Sequence, residues 1–261
     1  MFNLSGIDWF LVEHIFSFLD QKTQVRMMSV CKRFIKLRNN VYEIMATKTI
    51  IDKQLKLYKN LYKLNLCNNI KITNDGIKNL QSLTYLNCGL NDRITNKGIV
   101  NLPLTTLLCD ENTKFTDGGI RNLLLTHLDC GNNKHFSDYG IMNMPLIYLN
   151  CGENKHFTDK GIKNMSLTHL DCGSNENFTD EGIKHMSLTE LICGKNNNFT
   201  DEGIKHMLLT NLVCCRNRNF TDDAIKNMPL THLDCGANEN FTEELVRKNL
   251  YLKYLYMRRH Y

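Results

Sequence analysis

The chain contains 261 residues, 42% of them hydrophobic, and its 32 basic and 27 acidic residues give a formal net charge of +5. This composition is typical of a folded protein, and the basic residues are spread along the chain rather than clustered, which argues against nucleic acid as a partner. Asp8, Glu13 and His14 interrupt the apolar residues near the N-terminus, and no stretch reaches the roughly 18 apolar residues of a membrane span. We therefore expect a soluble protein of the cytoplasm or nucleus, with no membrane partner.

The N-terminal segment has the apolar spacing of short helices. The residues that share a helical face are Leu11, Ile15, Phe18 and Leu19, followed by Val30, Phe34 and Leu37. One interpretation is a helical cap, which covers the exposed end of a repeat array. The other is a small all-α domain with a partner of its own.

The order of residues in this segment resembles the F-box. The stretches IDWFLVEHIFSFLD, from Ile7 to Asp20, and VCKRF, from Val30 to Phe34, follow the F-box pattern without gaps. Two positions depart from it, since Asp8 replaces the usual Pro and Phe10 the usual Glu. The resemblance implies docking on a Skp-family adaptor, which links an F-box to a cullin scaffold and a RING subunit. The implied adaptor-binding residues are Ile7, Leu11, Val12, Ile15, Leu19, Val30 and Phe34.

Most of the remaining chain is a repeat of 21 residues, marked by cysteines. The recurring cysteines are Cys88, Cys109, Cys130, Cys151, Cys172, Cys193, Cys214 and Cys235. Leucines lie five and two residues before each of them, and an earlier turn begins at Leu61, 22 residues before Leu83. Self-similarity at such a period predicts a solenoid, in which each turn contributes one copy of each structural position.

The repeat, L-x-x-L-x-C-G-x-N-x-x-F-T-D-x-G-I-x-x-M-x, resembles the leucine-rich repeat, with cysteine in the third leucine position. It predicts an α/β solenoid with parallel strands inside and short helices outside. The predicted units are residues 1–46 (F-box-like helical domain), 47–60 (linker or cap), 61–251 (leucine-rich repeats of 21–22 residues) and 252–261 (C-terminal cap).

The cysteine column is predicted to lie in the core, where a free thiol acts as a small hydrophobe. Adjacent parallel strands lie about 4.8 Å apart, so disulfides between neighbouring turns are conceivable. An oxidised ladder would pair only alternate turns, however, and intracellular thiols stay reduced. Since no C-x-x-C pair is present, zinc is not expected either, and we predict no cofactor.

Two polar motifs complete each turn. An asparagine, such as Asn154, follows the strand and is placed to bond backbone groups that the sheet leaves unpaired. The motif Phe157-Thr158-Asp159 indicates a helix start, with threonine as the N-cap and aspartate complementing the helix dipole. Phe157 and Ile162 form a predicted hydrophobic staple. The repeat length leaves room for about two helical turns, partly 3₁₀.

The strand residues beside the inward leucine point away from the core and form two stripes on the predicted concave face. The first stripe is Tyr85, Thr106, His127, Tyr148, His169, Glu190, Asn211 and His232, and the second is Asn87, Leu108, Asp129, Asn150, Asp171, Ile192, Val213 and Asp234. Their mixture of aromatic, apolar and charged side chains suits a protein-binding surface. The predicted target-binding residues are Tyr85, His127, Tyr148, His169, Glu190 and His232. A solvated sheet without a partner is the alternative.

Histidine and aspartate two residues apart, as in His127 and Asp129, suggest catalysis or metal binding. The pair recurs at corresponding positions of other turns, so duplication explains it, and no nucleophile accompanies it. We predict no enzyme activity. The basic C-terminal end, Arg258 to His260, is expected to be solvated.

Together, the two resemblances imply a substrate-recognition subunit of an SCF-type ubiquitin ligase, whose repeats bind an unidentified target protein. The alternative is a stand-alone binding scaffold or inhibitor with a degenerate F-box, which Asp8 and Phe10 favour.

Overall fold

The computed structural model describes residues 19, 23, 41–45, 49–131, 133–152, 154–242, 244 and 251–257. Within these ranges the chain forms one parallel sheet of eleven strands, whose spatial order follows the chain. The strands are β1 (Glu43–Ile44), β2 (Lys63–Asn65), β3 (Tyr85–Asn87), β4 (Thr106–Leu108), β5 (His127–Asp129), β6 (Tyr148–Asn150), β7 (His169–Asp171), β8 (Glu190–Ile192), β9 (Asn211–Val213), β10 (His232–Asp234) and β11 (Tyr254–Tyr256).

Short helices alternate with the strands. They are α1 (Asp52–Leu55), α2 (Asn74–Ile77), α3 (Asn96–Ile99), α4 (Asp117–Ile120), α5 (Asp138–Ile141), α6 (Asp159–Ile162), α7 (Asp180–Ile183), α8 (Asp201–Ile204) and α9 (Asp222–Ile225). Each is a single turn of four residues, shorter than the two turns that the repeat length allows. The alternation and the 21-residue spacing confirm the predicted α/β solenoid.

The strands are stacked in register, so equivalent residues of successive turns are neighbours. Leu128, for example, pairs with Leu107 on one side and Leu149 on the other. These central leucines are buried, whereas the residues on either side of them are partly exposed. The solenoid core is therefore a stack of identical layers.

The cysteine column lies in this core, as predicted, and the ladder cysteines are almost fully buried. The sulfur atoms point along the sheet: Cys130 Sγ donates to the carbonyl oxygen of Asn150 at 3.3 Å, and Cys151 Sγ to that of Asp171 at 3.4 Å. A thiol fills apolar space as leucine does. It can also donate this weak hydrogen bond, whereas leucine has no donor.

The predicted role of the asparagine column is confirmed. The buried Asn154 amide donates to the carbonyl oxygens of Asn133 at 2.7 Å and Phe136 at 2.9 Å, and its oxygen accepts from the His156 amide at 2.9 Å. One side chain thus satisfies three backbone groups, two of which belong to the preceding turn. Each asparagine therefore ties its own turn to the one before it.

Threonine is the helix N-cap, as predicted, and the aspartate after it has a second role. Thr158 Oγ1 accepts from the Lys160 amide at 3.3 Å. The Asp138 carboxylate of the preceding turn accepts from both the amide and the hydroxyl of Thr158, at 2.8 and 2.6 Å. A side chain at Gly161 would clash with this carboxylate. The aspartate therefore bridges adjacent helices, and its close approach favours the glycine found at this position in α2 to α8.

The stack extends in both directions beyond the most regular turns. At one end, β1 pairs with β2, and Asp52 of α1 accepts from the Thr73 amide at 2.9 Å, as the later aspartates do. At the other end, β11 pairs with β10, and all three of its residues are exposed. Strand β11 is thus an open edge of the sheet within the described residues.

Candidate protein-binding face

The first and third residues of strands β2 to β11 form one side of the sheet, which we call the open face. The leucine between them is buried in nine of these strands, so the flanking side chains point away from the core. The predicted target-binding residues all occupy the first position: Tyr85, His127, Tyr148, His169, Glu190 and His232. The first five are half-buried and His232 is exposed. The fold therefore places them in one column.

Three aromatic side chains of this column form a continuous row. The ring of Tyr148 lies 6.0 Å from that of His127 at an interplanar angle of 19°, and 6.1 Å from that of His169 at 36°. Each histidine is held by the preceding threonine, since Thr126 Oγ1 lies 2.9 Å from His127 Nδ1 and Thr168 Oγ1 lies 2.7 Å from His169 Nδ1. These contacts hold the rings in position on the open face.

A second aromatic contact lies at the C-terminal end of the face. His232 stacks on Tyr254 with the ring centroids 4.6 Å apart. The sequence interpretation did not include Tyr254, although Leu252 and Leu255 lie 22 residues after Leu230 and Leu233. Extending the leucine register by one turn would have placed Tyr254 in the same column.

Carboxylates surround the aromatic row. Burial is the main cause that raises the pKa of Asp129 to about 6, and the neighbouring Asp110 and Asp171 raise it further, whereas hydrogen bonds from the Gly131 amide and the Asn150 side chain lower it. One carboxylate oxygen of Asp129, Oδ1, is buried without a hydrogen-bond partner. Asp129 is therefore poorly compensated within the protein.

Burial and nearby carboxylates also raise the pKa values of neighbouring groups on the open face. Burial raises the pKa of Asp171, and Glu190 adds to the shift. Burial also raises the pKa of Tyr148, with further contributions from Asp129, Asp171 and Glu190. In the described part of the chain, none of these three carboxylates forms an ion pair with a lysine or arginine.

A small cleft opens near the C-terminal end of the sheet, with a volume of about 310 Å³. Its lining includes Lys195, Arg216, Cys215 and Tyr256. Cys215 Sγ donates to Asp234 Oδ1 at 3.0 Å, and burial together with this carboxylate raises the pKa of the thiol to about 11. Cys215 is therefore a protonated thiol rather than a nucleophile at neutral pH.

The repeated His–Asp pairs do not form catalytic dyads. The Nδ1 atom of His127 contacts Thr126, while Asp129 accepts from Gly131 and Asn150 instead. The described residues also contain no group of three or more histidine, cysteine, aspartate or glutamate side chains that could hold a metal ion. The described open-face residues therefore offer aromatic and carboxylate groups suited to binding a partner.

Comparison with known proteins accounts for both parts of the chain. A family model for the F-box domain matches residues 4–37. The fold resembles an internalin from Listeria monocytogenes, with a TM-score of 0.58 and 21% sequence identity over 85% of this chain and 75% of the internalin. The chain joins an F-box to a leucine-rich-repeat solenoid. At this level of identity, the internalin supports the fold of the solenoid and nothing about its ligand.

The F-box contains all seven predicted adaptor-binding residues. Six of them, Ile7, Leu11, Val12, Ile15, Val30 and Phe34, lie outside the described residues. The seventh, Leu19, is described and half-buried. Their contact with an adaptor stays a prediction that rests on the F-box pattern.

Two further comparisons concern the whole F-box and leucine-rich-repeat chain. The solved complex of Rad7 and Elc1 from yeast aligns over 94% of this chain and 92% of the yeast chain, with a TM-score of 0.41 and 15% identity. No curated protein matches the sequence.

Among the described residues, no helix has the length and apolar character needed to cross a membrane.

Proposed function

We propose that the chain is the substrate-recognition subunit of an SCF-type ubiquitin ligase. The F-box docks on a Skp-family adaptor, which connects it to a cullin complex, and the open face of the solenoid binds the target protein. The chain itself catalyses no reaction. The observation that carries this proposal is the F-box match at residues 4–37, directly ahead of a solenoid with an open face.

The properties of the open face support a binding role. The rings of His127 and His169 are held in place by threonine contacts and need little further ordering when a partner binds. Aromatic residues in such positions often dominate the energy of an interface. Because the buried leucines and cysteines alone form the strand core, the open-face residues can vary without loss of the fold.

The proposal is tested by placing a charge in the F-box. We expect Ile15→Asp and Leu19→Asp each to abolish co-purification of the adaptor and cullin, because an unpaired charge in an apolar interface costs several kcal/mol. The matched control is Leu208→Asp, which makes the same change at a leucine of the solenoid that is 66% exposed. Circular dichroism checks that the repeats stay folded. Adaptor binding that survives both F-box variants would contradict the proposal.

A second candidate function is a stand-alone binding scaffold whose F-box has lost its adaptor. Asp8 and Phe10 favour it, since they replace the proline and glutamate usual in the first turn of the F-box. This candidate predicts that the wild-type chain captures a target but no adaptor or cullin. The same co-purification experiment therefore separates the two functions.

A further inference from the structure

The charge of the open face is opposite to that of the whole chain. The chain carries a formal net charge of +5, yet the charged open-face residues of β2 to β11, histidines aside, are Lys63, Asp129, Asp171, Glu190 and Asp234. The lysine is already paired, since its Nζ lies 3.7 Å from a carboxylate oxygen of Glu43. The open face is thus an acidic surface on a basic protein.

Three of the four carboxylates lie within the four neighbouring strands β5 to β8. Asp129 lies on β5, Asp171 on β7 and Glu190 on β8, and Tyr148 of β6 lies between the two aspartate-bearing strands. Neighbouring strands of a sheet are about 4.8 Å apart, so the strands from β5 to β8 span about 14 Å. Burial is the largest cause of the raised pKa values of Asp129 and Tyr148, and the neighbouring carboxylates add to both shifts.

Among the described residues, Asp129 and Asp171 accept hydrogen bonds from neutral groups, but none of the three carboxylates has a cationic partner. No lysine or arginine among the described residues pairs with them, and Asp129 Oδ1 has no hydrogen-bond partner. All three carboxylates are only half-buried, so part of each remains open to a hydrogen-bond donor supplied from outside. A cationic donor also relieves the mutual repulsion of Asp129, Asp171 and Glu190.

The aromatic row between the carboxylates narrows the choice of donor. Tyr148, half-buried between His127 and His169, places an aromatic ring next to the negative charges. A guanidinium can stack on an aromatic ring and at the same time donate to a carboxylate in two parallel hydrogen bonds. A lysine ammonium can satisfy the same charges with less directional geometry.

We propose that Asp129, Tyr148, Asp171 and Glu190 form a subsite for arginine or lysine side chains of a basic segment of the target protein. The inference rests on the proposed function, because it names the chemistry of the target that the open face receives. An acidic target seated at the cleft beside Lys195 and Arg216 is the competing outcome.

The test measures binding of labelled oligo-arginine and oligo-glutamate peptides to the purified full-length chain by fluorescence anisotropy, without adaptor. We expect oligo-arginine to bind and oligo-glutamate to bind at least about tenfold more weakly. The double variant Asp129→Asn/Asp171→Asn should lower the affinity for oligo-arginine about tenfold. Glu190→Gln gives an independent reading at the same subsite and should weaken binding in the same direction.

The matched control is Glu176→Gln/Glu239→Gln, which makes the same change in net charge in exposed loops after β7 and β10. It should bind oligo-arginine as the wild type does. Unchanged oligo-arginine binding by the aspartate double variant and by Glu190→Gln would overturn the subsite, as would tighter binding of oligo-glutamate than of oligo-arginine.

The experiment separates this inference from the proposed function. The Leu19→Asp variant should lose the adaptor and keep the affinity of the wild type for oligo-arginine. If the wild type binds oligo-arginine but no adaptor, the ligase function fails and the cationic subsite stands. If it binds the adaptor but oligo-arginine binding is insensitive to the open-face variants, the subsite fails and the ligase function stands.

Discussion

At the scale of single residues, Asp129 is unfavourable for the stability of the free protein, as expected of a residue on the proposed binding face. Its carboxylate is half-buried beside Asp110 and Asp171, and one of its oxygens has no donor. Selection for stability alone would favour a neutral side chain there. Residues that are unfavourable in the free protein are common where a partner completes the interactions.

We expect Asp129→Asn to stabilise the free protein by about 1 kcal/mol at neutral pH, after allowance for solvent screening of a partly exposed group. The folded-state pKa of Asp129 is raised from 3.8 to about 6, so between these values the folded protein binds more protons than the unfolded chain. The contribution of Asp129 to wild-type stability therefore rises as the pH falls through about 6, and the advantage of the variant shrinks.

Urea unfolding of both proteins at neutral and at mildly acidic pH checks this expectation. Glu176→Gln serves as the control, because its carboxylate is exposed. A variant that is less stable than the wild type at neutral pH would show that the Asp129 carboxylate is well compensated after all.

At the scale of elements, one-turn helices persist because each is tied to its neighbours. A helix of four residues has no stability of its own, since forming the first turn fixes several residues for a single hydrogen bond. Asp138 of α5 accepts two hydrogen bonds from Thr158, the N-cap of α6, and Asp159 of α6 does the same for Thr179. The helical layer is therefore a ladder of side-chain hydrogen bonds.

We expect Asp138→Ala to destabilise the protein by about 2 kcal/mol, because it leaves the amide and the hydroxyl of Thr158 without their acceptor. Glu202→Ala is the comparison, since the Glu202 carboxylate forms only an exposed ion pair with Lys205 and its loss should have little effect. The urea midpoints of the two variants give the measurement. Equal midpoints would mean that the aspartate ladder contributes no more than a surface ion pair.

At the scale of the whole molecule, the solenoid is a one-dimensional stack. Each strand pairs only with its neighbours in the chain, and the buried cysteines form one column through the stack. In such an architecture, stability is the sum of the turns and the interfaces between them. The reactivity of the buried cysteines therefore shows whether the turns of the solenoid are packed against one another.

We expect native thiol labelling, mapped by mass spectrometry, to modify the exposed Cys67 rapidly and the half-buried Cys215 slowly. The ladder cysteines should react only when the stack opens, since burial keeps the pKa values of thiols such as Cys130 and Cys151 well above the ordinary range. Denaturant should expose them together. A Cys67→Ser variant identifies the rapid phase, and rapid labelling of the ladder without denaturant would contradict a closed core.

Much of this fold could be predicted because every turn repeats the same local signals. The spacing of Leu128 and Cys130 gives the inward face of a strand, and Thr158 marks a helix start. The column of Tyr148, His127 and His169 followed from the same register. The bridge between Asp138 and Thr158 could not be predicted, because it joins residues of different turns and depends on how closely the helices approach.

The sequence by itself determined the period, the inward and outward residues of each strand and the F-box pattern, since these depend on local spacing and side-chain chemistry. Only the tertiary structure decided how Asp129, Asp171 and Glu190 act on one another around Tyr148. They come from different turns, and their pKa values depend on the distances and burial that stacking creates. Desolvation and charge coupling are properties of packed neighbours, so a sequence pattern names the residues but does not give their electrostatic state.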